Sequence, residues 1–220
     1  MKGVVIKIKF LGHASFLISS DKGIKIITDP YKPGSFSGDI KYGPINEEAD
    51  IVTISHEHDD HNETKINGNP SFVRGKGKKE VKGITIAGVD VYHDESGGKE
   101  RGSNTIFNML IDNMNVVHLG DLGHKLSPAE VNKIGKVDVL LIPVGGHFTI
   151  DAKTAEDVIN TLKPKIVIPM HFKTDKCGLQ IAPVENFTKN KNVKKLDGEF
   201  EVKKENLPDK TTIYVLTPTK

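Results

Sequence analysis

Residues 55–63 read Ser-His-Glu-His-Asp-Asp-His-Asn-Glu, directly after the apolar run Ile51 to Ile54. Three of the chain's nine histidines fall within six positions here, whereas random placement would give H-x-H-x-D-H about once in a thousand such chains. The run Ile51 to Ile54 reads as a strand buried on both faces, so the cluster leaves the end of a core element. A chain of this kind must bury that strand and still hold a histidine-rich, charged loop at its exit. His56 and His58 are two apart, so extended backbone puts both imidazoles on one face, where they can share one metal ion. Asp60 and His61, adjacent at a turn, point elsewhere and suit a second ion. A His-rich tract that binds metal without catalysis would not need a carboxylate interleaved with imidazoles at the end of a buried strand.

The rest of the composition describes the protein that must carry this loop. With 220 residues, 36% hydrophobic and 27% charged, the chain reads as one folded domain, residues 1–220, with enough core to need no staples. Cys177 is the only cysteine, which excludes an intramolecular disulfide and fits a reducing cytosol. Lys and Arg number 31 against 29 Asp and Glu, a net charge of +2. That is too near balance to argue by itself for nucleic acid or an anionic membrane as partner. No apolar run approaches the roughly 18 residues of a membrane span, and Met1 to Phe10 alternates Lys with apolar residues rather than forming a signal-peptide core. The expectation is a cytoplasmic protein acting on a small-molecule substrate, with homo-oligomerisation left open.

Apolar and β-branched runs separated by Gly, Pro, Asp and Asn predict strands at Val4 to Phe10, Ala14 to Ser19, Ile24 to Thr28, Ile84 to Tyr92, Thr105 to Ile111 and Asn115 to Leu119. Pro30, Pro33 and Pro44 mark a polar loop before Ile51. Ser127, Pro128 and Glu130 supply an N-cap, a first-turn proline and a capping-box acid, predicting a helix over Pro128 to Lys133. Asp151 caps a second helix, with Ala155, Val158, Ile159 and Leu162 at helical spacing and Pro164 ending it. Val137 to Val144, Ile166 to Met170 and Thr212 to Leu216 add strands, and Pro183 to Lys189 a short helix. Strands and helices in both halves imply a layered α/β fold with helices covering sheet faces. Ala49 to Ile54 and Val137 to Ile142 both place an Asp before an apolar strand, a hint of a duplicated half. Arg74 to Lys82, with five positive residues and one acid, reads as a solvated loop.

Further candidate ligands lie where strands end. His93 follows Ile84 to Tyr92, Asp121 follows the strand before Gly120, and His171 follows Ile166 to Met170. All three can converge on one sheet edge, where the carboxylate of Asp121 could bridge two ions.

The order Asp29, His56-x-His58-x-Asp60-His61, His93, Asp121 and His171 is similar to the five motif regions of the metallo-β-lactamase fold superfamily. Within it, Leu11-Gly12-His13-Ala14-Ser15, Thr28-Asp29-Pro30 and Gly120-Asp121 resemble uncharacterised metal-dependent hydrolases related to L-ascorbate-6-phosphate lactonase. The resemblance implies a four-layer αββα sandwich. It also implies one ion on His56, His58 and His93 and a second on Asp60, His61 and His171, with Asp121 bridging. The implied ions are two divalent transition metals, zinc by default, with manganese or iron also accepted by a carboxylate-rich position. Asp60 argues against the drug-hydrolysing branch. There is no spare length for the RNA-gripping arm of the ribonucleases or the helical domain of glyoxalase II.

The expected activity is a dinuclear hydrolase in which a metal-bound hydroxide attacks a small ester, lactone or phosphoester. The alternatives are a phosphodiesterase or nuclease acting on nucleic-acid ends, and a metal-binding protein without catalysis. Asp60 would orient the nucleophile or shuttle its proton, and Asp29 would orient a ligand histidine. His13 is open between facing the site and a structural hydrogen bond, and His118 between supporting a ligand and surface exposure. His147, after Gly145 and Gly146, is the first candidate to contact substrate or protonate a leaving group. Arg101 and Lys173 lie near ligands and could receive an anion.

Overall fold

The computed structural model describes residues 4–220, so Met1 to Gly3 of the opening segment lie outside the described residues. The first five strands, β1 (Val5–Gly12), β2 (Ser15–Ser19), β3 (Lys25–Thr28), β4 (Ile51–Ile54) and β5 (Ser71–Arg74), lie side by side in chain order. β1, β2 and β3 are antiparallel, and β3, β4 and β5 are parallel. The next six strands are β6 (Gly77–Val81), β7 (Ile84–Tyr92), β8 (Ser103–Ile111), β9 (Met114–His118), β10 (Val139–Pro143) and β11 (Ile166–Met170). They form the second sheet with β14 (Thr212–Leu216) and β12 (Val193–Leu196), in the order β12-β14-β11-β10-β9-β8-β7-β6. The strand β13 (Glu199–Lys203) crosses back to pair with β1.

One large core unites the sheets, because inward residues alternate on the half-exposed strands and fill the central ones. Ile6, Ile8 and Phe10 of β1 are buried while Lys7 faces out, and all of Val139–Pro143 is buried. Helices α1 (Pro128–Ile134), α2 (Ala152–Leu162) and α3 (Val184–Thr188) all follow β9. The capping box of α1 forms: Glu130 N–H donates to Ser127 Oγ at 3.3 Å and Ser127 N–H to Glu130 Oε2 at 2.7 Å. Asp151 Oδ1 accepts from Thr154 N–H at 2.8 Å and starts α2, which buries Ala155, Val158 and Leu162.

Among the described residues the first half carries no regular helix, contrary to the expectation of helices in both halves. Its four-residue turn Ser35–Gly38 holds Phe36 and Ser37 in the left-handed region, at φ 52 and 56. Loops instead cover the outer face of the first sheet, where Leu17, Ile27 and Val52 pack beneath Tyr31, Tyr42 and Leu179. The segment expected to be a solvated loop contributes to two edge strands, β5 and β6. Gly77–Val81 has no buried residue to mark it, since a lysine-rich edge strand repels further pairing.

The two Asp-led segments do correspond. Asp50 Oδ2 accepts from Lys25 N–H and Asp138 Oδ2 from Asn115 N–H, each at 2.9 Å. Asp29 N–H donates to Thr53 O as Leu119 N–H does to Leu141 O. The antiparallel and then parallel pairing of β1 to β5 recurs in β7 to β11.

Candidate metal centre

The ends of β3, β4, β7, β9 and β11 and the β1–β2 turn bring the candidate residues to one edge of the sandwich. His56, Asp60, His61, His93, Asp121 and His171 are buried, and His58 is the most open of the set. One group consists of His56, His58 and His93, and another of His13, Asp60, His61 and His171, with ligand atoms in each group within 4.8 Å of one another. Asp121 lies between them. Its Oδ1 is 3.2 Å from His61 Nε2, and its Oδ2 is 3.2 Å from His93 Nε2, 3.4 Å from His171 Nε2 and 3.9 Å from His56 Nε2.

Hydrogen bonds behind the ring atoms set which nitrogens face the centre. Asp29 Oδ1 accepts from Ser55 N–H at 2.8 Å, and its Oδ2 accepts from Ser55 Oγ–H at 2.5 Å and His61 Nδ1–H at 2.9 Å. Since the Ser55 proton is committed to Asp29, His56 Nδ1–H donates to Ser55 Oγ at 2.9 Å. Both rings therefore turn Nε2, the nitrogen a metal would take, toward Asp121. His13 Nε2–H donates to Asp60 Oδ2 at 2.9 Å. His118 accepts from Gly120 N–H on Nδ1 at 3.0 Å and donates from Nε2 to Ala14 O at 2.8 Å. It is buried, and it props the Gly120–Asp121 step and the β2 entrance.

These residues fit a metal ion by their unsatisfied chemistry. Buried atoms without a partner include Asp60 Oδ1, Asp121 Oδ1 and His61 Nε2. Leaving these polar atoms orphaned would cost about 1–3 kcal/mol each, a cost that cations would relieve. The charges agree. Burial opposes an ionised Asp121, but His171 and His61 hold its carboxyl well below the usual range. Burial likewise opposes a charged His61, but Asp121 and Asp60 raise it well above an ordinary histidine. His61 thus holds a proton where a cation would sit. His56 has no such excess of acids, and burial with the nearby His61 lowers it to about 3.

Backbone strain marks the same edge. His13, Asp29 and His171 have φ of 55, 38 and 50, the left-handed region that costs a side-chain-bearing residue about 1 kcal/mol or more. A Cβ on Gly120 would lie 2.3 Å from Asn104 Oδ1 and 2.6 Å from Ser55 Cβ, so only glycine fits there.

Two expectations need correction. His147 is exposed, φ 62, with its ring against Phe148 at 4.4 Å. It does not line the metal-facing cavity but a neighbouring one, which shares His93, Arg101 and Phe148 with it. Lys173 is also withdrawn, its ammonium donating to Leu179 O at 2.8 Å. Arg101, by contrast, lines the cavity of about 200 Å³ over His58, Asp60, His93 and Asp121, with Phe36, Phe148 and Leu179 as apolar wall.

Ser55 and Asn104 were not singled out from the sequence. Asn104 Oδ1 accepts from Asp121 N–H at 3.1 Å while its Nδ2–H donates to Leu119 O at 2.8 Å. An amide at the start of β8, directly before its apolar run, was the available signal. Phe36 had none.

Comparison with known proteins agrees with this arrangement. Residues 7–171 match the family model described as a beta-lactamase superfamily domain. A UPF0173 metal-dependent hydrolase of Pyrococcus abyssi is 32% identical over 197 residues, covering 77% of this chain and 86% of that protein. A UPF0173 metal-dependent hydrolase of Thermococcus kodakarensis is 30% identical over 196 residues, covering 77% and 86%. A crystal structure from Thermotoga maritima, described as a candidate Zn-dependent hydrolase of the metallo-β-lactamase superfamily, superposes with a TM-score of 0.79 at 35% identity, over 96% of this chain and 100% of that one. No helix among the described residues is long and apolar enough to cross a membrane. The chain belongs to the metallo-β-lactamase superfamily, among the UPF0173 metal-dependent hydrolases.

Proposed function

We propose that this hydrolase is dinuclear and acts on a small ester, lactone or phosphoester. The observation that carries the reading is Asp121, whose two oxygens lie between the His56, His58, His93 group and the Asp60, His61, His171 group. Seven ligands are too many for one tetrahedral ion and suit two. When bound, two divalent ions supply Lewis acidity and a water ionised near neutral pH; zinc, manganese and iron all suit this nitrogen and oxygen donor set.

The chain's own residues do the rest. Asp29 and Ser55 hold His56 and His61 with their Nε2 atoms inward, so the ligand geometry is prepared before substrate arrives. Asp60 has Oδ2 engaged by His13 and Oδ1 free. With Oδ1 taken by the second ion, Oδ2 would be left to accept a hydrogen bond from the attacking water and orient it. Phe36, Phe148 and Leu179 exclude water from one side of the cavity. The small cavity supports a small-molecule substrate.

A nucleic-acid substrate has less support. Of the basic stretch, Arg74 pairs with Glu57, Lys76 with Asp90 and Lys82 with Asp50, which leaves little charge to neutralise a phosphate backbone.

Metal analysis of protein prepared without chelator, and again after dialysis against chelator and re-addition of each metal, tests the reading. Close to two ions per chain with parallel loss and recovery of esterase or lactonase activity is expected. A reproducible stoichiometry of one at full activity would overturn it.

A further inference from the structure

Arg101 is the one side chain that lines the metal-facing cavity and also both of its neighbours, of about 380 and 350 Å³. A substrate that extends from the first cavity into either neighbour passes its guanidinium. We propose that Arg101 determines specificity by gripping a carboxylate or phosphate carried by the substrate apart from the scissile bond, so that this enzyme hydrolyses small anionic esters or lactones with an apolar portion. The proposal rests on the dinuclear reading above.

Three observations carry it. Arg101 is held in place by its backbone: the buried carboxylate of Asp94 accepts from Ser96, Gly98, Glu100 and Arg101 N–H at 2.8, 2.8, 3.0 and 2.8 Å. The loop then closes on the metal centre, where His93 N–H donates to Gly102 O at 3.0 Å. A single loop thus sets the positions of a metal-facing histidine and of Arg101 together, the kind of preorganisation that makes an anion contact specific.

The guanidinium is also uncommitted. Among the described residues it donates no hydrogen bond, and its one carboxylate neighbour, Glu100, is 3.6 Å away and largely exposed, a contact worth little in water. It lies 5.8 Å from the centroid of Phe148, so the cation is steadied by a ring without spending its donors. Five N–H groups in a planar fork remain for a carboxylate or phosphate.

Third, the cavity separates the two halves of such a substrate. Phe36, Phe148 and Leu179 form the apolar wall, and Arg101 is the only Lys or Arg in the lining. Two divalent ions outweigh the carboxylates of Asp60 and Asp121, so the loaded centre and Arg101 together favour an anion. Lys173 does not compete, being bound to Leu179 O.

The test measures binding to the metal-loaded enzyme by calorimetry, using benzohydroxamate, whose hydroxamate chelates metal, and its 3-carboxy, 4-carboxy and 4-phosphono derivatives. At least one charged derivative is expected to bind wild type about ten- to a hundredfold more tightly than the neutral parent. Arg101→Gln should erase that preference while still binding the parent and keeping the wild-type metal content; Arg101→Lys should retain part of it, lacking the fork. A carboxylate or a phosphonate preference identifies which anion is read. Equal binding of all four by wild type, or a preference that survives in Arg101→Gln, overturns the proposal. Failure of the neutral parent to bind the loaded wild type would overturn the metal-centre reading and this proposal with it.

Discussion

His13 Nε2 lies 2.9 Å from Asp60 Oδ2, and the two residues come from the β1–β2 turn and the loop after β4, 47 positions apart. His13 is fully buried, at φ 55, and burial with the nearby His171 lowers it to about 4. It is therefore neutral at assay pH and gives Asp60 a directed N–H rather than a charge. Its Nδ1 is buried without a partner among the described residues, and its Nε2 is the atom turned to the second ligand group. His13→Ala should lower affinity for the second ion about 10- to 100-fold and leave the first in place. Titrating metal-free protein with zinc checks this; loss of neither ion would mean that the contact only packs the turn.

Asp29 anchors His61 directly and His56 through Ser55. Asp29→Asn keeps the shape but offers one acceptor oxygen where the carboxylate offers two. Metal content should fall toward one ion and turnover by at least tenfold, while Asp59→Asn, at an exposed carboxylate, changes neither. Retention of both ions and full rate in Asp29→Asn would assign the tautomers to some other cause.

At Gly120 a methyl group collides with Asn104 and Ser55, whereas at Gly135, also at positive φ, nothing lies within 4 Å. Gly135→Ala should cost about 1 kcal/mol of stability through backbone strain alone. Gly120→Ala should cost about 1–3 kcal/mol more and also reduce metal content, because Asn104 holds Asp121 N–H. Urea unfolding with metal analysis separates the two, and equal losses at both positions would sink the steric argument.

Asp138 supplies a pH dependence remote from the metals. Burial opposes its ionisation, but Asn115 N–H, Lys204 and Lys136 hold its carboxyl below the ordinary range. Because the folded value is depressed, the stabilisation is fully present above pH about 4 and is lost as pH falls through the folded value. Asp138→Asn should be about 1–3 kcal/mol less stable at pH 7, with a gap that narrows at pH 3. A gap independent of pH would show that packing, not charge, is at stake.

His147→Ala should change turnover less than about twofold and leave both ions bound, since the ring is exposed and outside the metal-facing cavity. A hundredfold loss would restore the role that its glycine-flanked position in the sequence suggests.

The readable parts of this protein were those whose causes are local. The capping box at Ser127 and the alternation of Ile6, Ile8 and Phe10 act within a few residues, and both appear in the structure where expected. The His56 to His61 cluster, His93, Asp121 and His171 stood out because each follows a strand end, and neighbouring strands that run the same way bring their ends to one edge. Non-local pairing hid the rest. β6 has no apolar face to reveal it, and β13, with only Phe200 and Val202 on its inner face, is defined by its partner β1, about two hundred residues earlier in the chain. In sequence, His147 was the first candidate to contact substrate, with Arg101 and Lys173 as cations near the ligands. Asp94 folds its loop so that Arg101 overhangs the cavity, Leu179 O draws Lys173 away, and the turn after Gly146 leaves His147 exposed. Each of those outcomes depends on a backbone path set by hydrogen bonds outside regular strands and helices, which periodicity does not encode.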